Sequence, residues 1–491
     1  MSLQSRWTHL LASTKALLQP PSISSGLHTY QLDVDGGCRR VHLRVKEDGT
    51  GVLFIDVTEV IHLNETAVEM VKAALEAVPQ KTIEVRLARR YRGVKHTELA
   101  QAIGTMYDLV RQLKSPDEVC STCALADAVA FTPIFSTPIT APYKVDVALT
   151  YACNNACPHC YNEAERLSMQ SLSRADWFRV LDRFAEIGIP HVILTGGEPT
   201  LVPALPHLIR YADDLGLIVG MNTNGRRLAE PTFAQELAKA GLNHIQVTLE
   251  SCYPQVHDEM VNAPGAFSET VQGIKNALAA GLHTITNTTV TTVNQDHVLN
   301  TVRYLHDLGL ETFAMNGIIH SGGGTASPSA VPPDKMASVL AAVRDEADAL
   351  GMRFLWYTVT DYCELSPVSL DLPPKRCNAG EYSMCVEPNG DVLPCQSYYA
   401  SAGNLLTDSW DSIWNSELFR SFRDRETAPA SSTGLPEACQ ECPDLELCGG
   451  GCRLEREARA GMRAAEHGCG RARLRATAAA TSEALLLKER G

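Results

Sequence analysis

Three cysteines stand close together in the run Cys153-Asn-Asn-Ala-Cys157-Pro-His-Cys160. A loop this short can turn three thiolates toward one cluster, and iron–sulfur clusters are held by cysteine thiolates. Three ligands leave one iron of a four-iron cluster open to another molecule. The alternative is half of a zinc site, and on that interpretation His159 is a further candidate ligand.

A second cysteine pattern occupies the carboxyl-terminal part of the chain. Its spacing is Cys377-x12-Gly390-x4-Cys395, then Cys439-x2-Cys442-x5-Cys448-x3-Cys452, then Cys469, with Cys385 between the first two cysteines. A structural zinc site with four cysteine ligands is the alternative interpretation of the second half.

The composition and net charge of the chain argue against secreted, membrane-spanning and nucleic-acid-binding proteins. The chain has 491 residues and 16 cysteines. We see no secretory signal, so we expect a cytoplasmic location. In that compartment thiols bind metal more often than they form disulfides. We predict about three soluble domains and no membrane span, because no run of about 18 apolar residues occurs. The net charge of −14 argues against a nucleic-acid substrate.

Alternating strands and helices between residues 143 and 357 must position the first cysteines. Six strand–helix units predict a parallel sheet, either open or curved into a partial barrel, with its site at the carboxyl ends of the strands. The first cysteines directly follow the first of these strands. The predicted strands are Tyr143–Thr150, His191–Thr195, Leu217–Asn222, His244–Leu249, Thr284–Val290 and Thr312–Ile318.

The three cysteines at this place resemble the signature of the radical S-adenosylmethionine superfamily. That resemblance implies that the open iron chelates the amino and carboxylate groups of S-adenosylmethionine. The second strand ends in Gly196-Gly197-Glu198, which resembles the family's Gly-Gly-Glu motif. The glycines would let the backbone approach the ligand closely, and Glu198 would accept a hydrogen bond from the amino group.

Other cofactor contacts follow from the same resemblance. The alternative is that they are ordinary polar residues of loops. The candidates are Tyr161 beside the triad, Thr223, Asn224 and Ser251 for ribose or carboxylate contacts, and Asn287 and Asn316 for cofactor or substrate contacts.

The second cysteine pattern resembles the SPASM domain, which holds two auxiliary four-iron clusters. By that resemblance Cys377, Cys385, Cys395 and Cys452 bind the nearer cluster, and Cys439, Cys442, Cys448 and Cys469 bind the farther one. Cys363 follows the last core strand and is a candidate catalytic residue, although a buried cysteine is usually a small hydrophobic residue. Cys120-x2-Cys123 lies in a Pro-rich linker, and we expect a paired thiol or no function there.

Three predicted strands (27–34, 41–46 and 52–57) and following helices, joined at Leu63-Asn64-Glu65, resemble the peptide-chaperone domain of maturases that modify ribosomally made peptides. In that family a leader peptide adds as an extra strand beside the third strand. The expected edge here is Val52, Phe54 and Asp56. The alternative is a winged-helix domain that only stabilises the barrel.

We therefore predict a partial (β/α)6 TIM-type barrel between a winged-helix-like α+β domain and a cysteine-rich iron–sulfur domain. The predicted divisions are an N-terminal extension (1–26), a recognition-like domain (27–115), a linker (116–142), the barrel (143–357), the SPASM domain (358–475) and a tail (476–491).

The predicted function is radical modification of a precursor peptide through a thioether or carbon–carbon crosslink. It requires three [4Fe-4S] clusters, S-adenosylmethionine and an electron donor such as flavodoxin or ferredoxin. One alternative is an enzyme that modifies tetrapyrrole side chains. Another is an electron carrier or zinc-binding scaffold without catalysis, and Gly196-Gly197-Glu198 argues against it.

Overall fold

A computed structural model describes residues 23–34, 37–55, 59–90, 95–114, 139–325 and 327–462. The chain divides into two compact units. The first comprises Met1–Thr140 with Phe184–Pro190, and the second comprises Ala141–Arg183 with His191–Gly491. No helix in the described ranges is long and apolar enough to cross a membrane.

The first unit contains an antiparallel sheet whose four strands are neighbours in chain order. Asn64 caps the first helix because its side chain accepts a hydrogen bond of 2.9 Å from the backbone N–H of Ala67. The elements are β1 (Gly26–Val34), β2 (Gly37–Val45), β3 (Gly51–Ile55), β4 (Glu59–Leu63), α1 (Glu65–Leu75), α2 (Gln80–Arg90) and α3 (His96–Gln112).

The predicted leader edge is wrong, because β3 lies in the middle of this sheet. Val52 pairs with Arg44 on β2 and with His62 on β4, and Phe54 is paired on both sides in the same way. Both rows of backbone groups on β3 are therefore used, and a further strand cannot add there. Asp56 lies outside the described residues. The sequence prediction missed β4, and this strand ends the sheet within the part of the chain that is described.

The second unit contains a nine-stranded sheet in the order β11-β10-β9-β8-β7-β6-β5-β12-β13. Strands β5 to β11 run parallel, which confirms the predicted fold class. The prediction missed β11. The parallel strands are β5 (Lys144–Thr150), β6 (His191–Gly196), β7 (Ile218–Thr223), β8 (His244–Thr248), β9 (His283–Thr289), β10 (Thr312–Asn316) and β11 (Arg353–Trp356).

Amphipathic helices alternate with these strands. The first of them begins after Ser173, whose hydroxyl caps the helix by accepting a hydrogen bond of 3.2 Å from the N–H of Asp176. The helices are α4 (Arg174–Ile187), α5 (Leu205–Asp214), α6 (Pro231–Lys239), α7 (Pro254–Val261), α8 (Ala266–Ala279), α9 (Val298–Asp307) and α10 (Pro333–Leu350).

The cysteine-rich part continues the barrel sheet. Strand β12 (Ser383–Val386) pairs in parallel with β5, and β13 (Val392–Leu393) pairs with β12 in the antiparallel direction. The sheet thus crosses the predicted boundary at residue 357. Short helices follow, which are α11 (Trp410–Trp414), α12 (Glu417–Arg423), α13 (Ala430–Thr433), α14 (Glu437–Gln440), α15 (Leu445–Cys448) and α16 (Arg453–Met462).

Candidate active site and cysteine clusters

The loop that carries Cys153, Cys157 and Cys160 leaves the carboxyl end of β5. The N–H of Ala156 donates to the carbonyl of Val261 at 3.0 Å. The side chain of Cys157 packs against a small apolar cluster made of Val261, Ala263 and Ala266. The loop is therefore supported by α7 and α8 as well as by the strand before it.

Gly196 and Gly197 are required by the backbone of this cysteine loop. A Cβ atom on Gly196 would overlap the carbonyl oxygen of Thr150, and Gly196 also has a φ of +128°. A Cβ atom on Gly197 would overlap the carbonyl oxygen of Ala152. The N–H of Gly197 donates to the Thr150 carbonyl at 2.7 Å. The close approach predicted toward a ligand is thus made first of all to protein backbone.

Glu198 organises the ends of two neighbouring strands. Its Oε1 accepts hydrogen bonds from the hydroxyls of Thr200 and Thr223, both at 2.7 Å, and its Oε2 accepts the N–H of Asn224 at 2.8 Å. The carboxyl is fully buried, and burial raises its pKa against the opposing effect of these donors. The predicted hydrogen bond to the amino group of the cofactor stays a prediction.

Asn224 joins the third strand to the cysteine loop. Its side-chain amide donates to Oδ1 of Asn154 at 2.6 Å and lies 3.9 Å from the sulfur of Cys153. Ser251 is buried, and its hydroxyl accepts the N–H of Tyr253 at 3.1 Å. Of the predicted polar contacts on these strands, Asn224 contacts the cysteine loop, Thr223 bonds to Glu198, and Ser251 has its observed bond within its own turn.

Asn287 and Asn316, on neighbouring strands, contact each other. The amide of Asn287 donates to Oδ1 of Asn316 at 2.6 Å, while Oδ1 of Asn287 is buried without a hydrogen-bond partner among the described atoms. Such an oxygen is expected where another polar molecule completes a site. Burial and the adjacent Cys160 thiol raise the pKa of Tyr161. The buried Asn287 oxygen, which has no hydrogen-bond partner among the described atoms, fits a polar cofactor at the carboxyl end of the sheet.

A carboxylate that the sequence did not single out reaches the cysteine loop. Oε1 of Glu250 lies 3.2 Å from Nε2 of His159, and Oε2 accepts the N–H of Thr289 at 2.7 Å. Burial alone would lower the pKa of His159, but the hydrogen bond and the charge of Glu250 raise it. His159 is thus engaged by a carboxylate. The available signal was an acidic residue at the end of the fourth predicted strand.

A glycine-rich loop after β10 was also missed. The N–H of Gly323 donates to the carbonyl of Cys160 at 2.8 Å. A Cβ atom on Gly323 would overlap the carbonyl oxygen of Pro158. The signal in the sequence was the run of three glycines that follows Ser321.

Cys377, Cys395 and Cys452 influence one another electrostatically. Burial and the Cys377 thiol raise the pKa of Cys395 to about 12 and that of Cys452 to about 11. Cys385 is fully buried on β12 and packs with Ala148 and other apolar residues of the sheet. These four cysteines are the ones predicted for the nearer auxiliary cluster.

Cys439, Cys442 and Cys448 line one cavity, and Cys363 lines it too. Cys363 is disulfide-bonded, and every other cysteine with a described side chain is free, so its bonding partner lies outside the described side chains. The catalytic role predicted for Cys363 stays a prediction. Cys120, Cys123 and Cys469 lie outside the described residues.

Within the described ranges no three His, Cys, Asp or Glu side chains are grouped closely enough to hold one metal ion. Zinc places its sulfur ligands about 2.3 Å from a single ion. A four-iron cluster binds each thiolate to a different iron, which separates the sulfur atoms further.

Known proteins resemble both regions. Residues 147–305 match the radical SAM superfamily, and residues 377–443 match the SPASM iron–sulfur cluster-binding domain. A PqqA peptide cyclase of Xanthomonas campestris is 30% identical over 330 residues, which cover 65% of this chain and 84% of the relative. A PqqA peptide cyclase of Streptomyces rochei is 29% identical over 331 residues, covering 65% and 86%.

Solved structures show the same fold. Streptococcus suis SuiB bound to precursor peptide SuiA has a TM-score of 0.61 at 18% identity, covering 87% of this chain and 96% of that one. The anSMEcpe structure with bound AdoMet and Kp18Cys peptide has a TM-score of 0.51 at 17% identity, covering 64% and 90%.

The chain is an enzyme of the radical SAM superfamily with a carboxyl-terminal SPASM domain. Its relatives include the PqqA peptide cyclases, and the predicted resemblances to the radical SAM superfamily and to the SPASM domain are confirmed. Its cofactors are four-iron clusters and S-adenosylmethionine. The cysteines of the barrel loop and of the tail agree with the clusters, and the buried oxygen of Asn287 without a described partner agrees with a polar cofactor.

Proposed function

We propose that this enzyme modifies a ribosomally made precursor peptide and forms a thioether or carbon–carbon crosslink. The observation that carries the proposal is that one chain contains both a radical SAM cysteine loop and a sheet in which, among the described strands, β4 pairs only with β3. The named relatives support it, since two are PqqA peptide cyclases and SuiB was solved with its precursor peptide.

Cys153, Cys157 and Cys160 would hold the cluster that binds S-adenosylmethionine. When bound, this pair supplies a carbon radical that abstracts a hydrogen atom from the peptide. Glu198 and Asn224 fix the loop that carries Cys153, as their hydrogen bonds require. Asn287 and Asn316 are the residues proposed to receive the cofactor or the substrate, since the buried oxygen of Asn287 lacks a described partner.

The tail cysteines would hold two auxiliary clusters. When bound, these supply an acceptor for the electron that leaves as the product forms. Cys377, Cys385, Cys395 and Cys452 are proposed for one cluster. An external donor such as flavodoxin or ferredoxin would reduce the enzyme. A cytoplasmic location belongs to the same proposal, because the cysteine ligands must be kept as thiols until iron binds.

The proposed leader edge moves from β3 to β4. Ile61 and Leu63 of β4 are buried, whereas Val60 is 38% exposed. Among the described strands β4 pairs only with β3, so it is the strand beside which we place the added leader strand. Backbone hydrogen bonds would supply affinity there, and side chains beside Val60 would supply selectivity.

The test uses anaerobically reconstituted enzyme and the candidate precursor peptide encoded beside its gene. We expect 5′-deoxyadenosine and a peptide that has lost two hydrogen atoms for each crosslink. Val60→Glu should weaken peptide binding at least tenfold, about 1.4 kcal/mol, while cofactor cleavage without peptide is kept. The matched control is Val85→Glu, because Val85 is an exposed valine on α2 of the same unit.

Two outcomes would count against recognition of the leader peptide at β4. One is equal binding by Val60→Glu and the unmodified enzyme. The other is a variant lacking residues 1–115 that turns over the peptide as fast as the full chain. Turnover of a tetrapyrrole in place of the peptide would favour the alternative function.

A further inference from the structure

A loop of three glycines, Gly449-Gly450-Gly451, joins the two sets of tail cysteines. Cys448, which precedes the loop, belongs to the set predicted for the farther cluster, and Cys452, which follows it, belongs to the set predicted for the nearer cluster. The three φ angles are +62°, +74° and +72°, a backbone region that favours glycine. The two sets are therefore connected by one very short segment.

Two arginine side chains hold this loop through its carbonyl groups. Nη1 of Arg425 donates to the carbonyl of Gly449 at 3.5 Å. Nη1 of Arg456 donates to the carbonyls of Gly450 and Gly451, the second at 3.1 Å. Both positive charges are thus fixed beside the segment that joins the two cysteine sets.

The charge of Arg425 is compensated by carboxylates. Nη2 of Arg425 lies 3.7 Å from Oε2 of Glu381, which is buried. Glu381 also pairs with Arg376 at 2.6 Å, and Arg376 pairs in turn with Glu426 at 2.8 Å. These two arginines therefore share two carboxylates, and their charges balance locally.

Arg456 differs from Arg425, because it forms no ion pair with a carboxylate among the described residues. Its Nη1 is used by the loop carbonyls, and its Nε is buried without a hydrogen-bond partner among the described atoms. A buried charge without a counter-charge is costly, so a negative group is expected beside this guanidinium.

The groups that supply this counter-charge are cysteines of both sets. The N–H of Arg456 donates to the carbonyl of Cys452 at 3.1 Å, which places Arg456 one helical turn after that cysteine. Burial lowers the pKa of the Arg456 guanidinium, and the thiols of Cys452, Cys377 and Cys439 oppose this effect. Cysteines that bind a cluster do so as thiolates. The bound clusters would therefore provide the negative charge that Arg456 faces.

We propose that Arg456 is a positioning residue whose fixed positive charge raises the reduction potentials of the two auxiliary clusters. The inference rests on the proposed function, in which the tail holds both clusters and takes up an electron as the product forms. Reduction adds one negative charge to a cluster, and a positive charge beside it stabilises the reduced form. Net charge is among the factors that set the potential of such clusters.

The electron that this charge favours comes from the crosslinking chemistry. The peptide loses one hydrogen atom to the carbon radical of the cofactor, and the resulting peptide radical loses one proton and one electron as the crosslink forms. The proton goes to solvent, and the electron reduces an auxiliary cluster by one unit of charge. The electron that first cleaves the cofactor comes from the external donor.

The experiment reconstitutes the full chain anaerobically and titrates its clusters against solution potential, with electron paramagnetic resonance as the readout. Arg456→Gln and Arg456→Met remove the charge, whereas Arg456→Lys keeps it. The control is Arg420→Gln, because Arg420 is an exposed arginine of α12 that pairs with Asp424. The triad cluster is recognised by the change in its resonance when S-adenosylmethionine is added.

The ratio of reduced to oxidised auxiliary cluster at a fixed solution potential should fall about tenfold in the two neutral variants, which is about 59 mV for a one-electron couple. Arg456→Lys and the control should keep the ratio of the unmodified enzyme. Iron is counted in every variant, and about twelve irons per chain are expected.

Three outcomes would overturn the inference. One is an unchanged ratio in a neutral variant that binds about twelve irons. Another is an equal shift in Arg456→Lys, because the loop contacts and not the charge would then set the potential. The third is iron loss in both neutral variants, which would mean that Arg456 holds the glycine loop. About four irons in the unmodified enzyme would be a different failure, since it would remove the auxiliary clusters from the proposed function and this inference with them.

Discussion

The two cysteine regions are supported in different ways. The barrel loop around Cys157 is held at several points, since Glu198 and Gly323 donate to its backbone and Val261 accepts from it. In the tail Cys439 and Cys448 lie on helices of four residues, and both line a cavity together with Cys363.

This difference shows which interactions hold the cysteines in position in each region. In the barrel the buried carboxylate of Glu198 accepts the N–H of Asn224, and the backbone N–H of Glu198 donates to Ala152 of the cysteine loop. In the tail two of the helices that bear the cavity cysteines have only four residues, so bonds between thiolates and iron should contribute to folding itself, as structural metals do in small domains. Removing a ligand should therefore stop chemistry in the barrel, whereas removing metal should unfold the tail.

The largest effect is expected for the barrel triad. Cys153→Ala, Cys157→Ala and Cys160→Ala should each abolish formation of 5′-deoxyadenosine, because two thiolates do not hold a cluster that can bind the cofactor. Chromatography of the reaction under anaerobic conditions measures this product. Cys252→Ala should keep full activity. Normal product from the Cys160 variant would contradict the assignment of the triad.

The second effect concerns the close contact between two strand ends. Gly197→Ala should lower cofactor cleavage about tenfold to a hundredfold, because the new Cβ overlaps the carbonyl of Ala152 and costs about 1–3 kcal/mol of strain. Gly317→Ala is the control, since Gly317 follows β10 and an added Cβ meets only ordinary contacts of 3.7 Å or more. Equal rates for the two variants would show that this contact is not needed.

The third effect should appear when iron is removed by a chelator. We expect trypsin to cut the iron-free tail at least tenfold faster than the iron-loaded tail, at Arg420, Arg423 or Arg453, while the barrel resists. Opening of the tail exposes these bonds when the metal no longer holds the segments together. Mass spectrometry of the first fragments reports the order of cutting. First cuts within α4 to α9 would reverse the comparison.

The barrel and both cysteine regions could be predicted from the sequence, because cysteine spacing and the alternation of strands with helices are visible in short stretches of the chain. Gly196-Gly197-Glu198 was recognised from its place after a strand. Strand β4 was missed although Ile61 and Leu63 alternate as a half-buried strand requires, because the run is short and leads directly into the Asn64 cap. The missed strand also shifted the expected leader edge by one position in the sheet.

Contacts between distant segments could not be predicted from spacing. Cys363 reaches the cavity only through the path of the chain after β11, and Glu250 reaches His159 only because β5 and β8 end at the same edge of a parallel sheet. Both residues depend on tertiary packing. Their chemistry was visible in the sequence, but their partners were not.

The smallest effect is expected at Glu250, the carboxylate that supports the cysteine loop from β8. Glu250→Gln keeps the shape and an oxygen for the N–H of Thr289 but removes the charge that faces His159. A hydrogen bond weakened by about 1 kcal/mol corresponds to roughly a fivefold slower cofactor cleavage.

The control for Glu250 is Glu346→Gln, because Glu346 forms its ion pair with Arg303 on helices remote from the cysteine loop. The rate of 5′-deoxyadenosine formation and the reduction potential of the triad cluster are both measured. If Glu250 positions His159 beside Cys160, both quantities should change in Glu250→Gln, with iron content unchanged and neither quantity altered in the control. An unchanged potential would mean that Glu250 serves the fold of β8 and β9 alone, and that the barrel loop depends only on its backbone contacts.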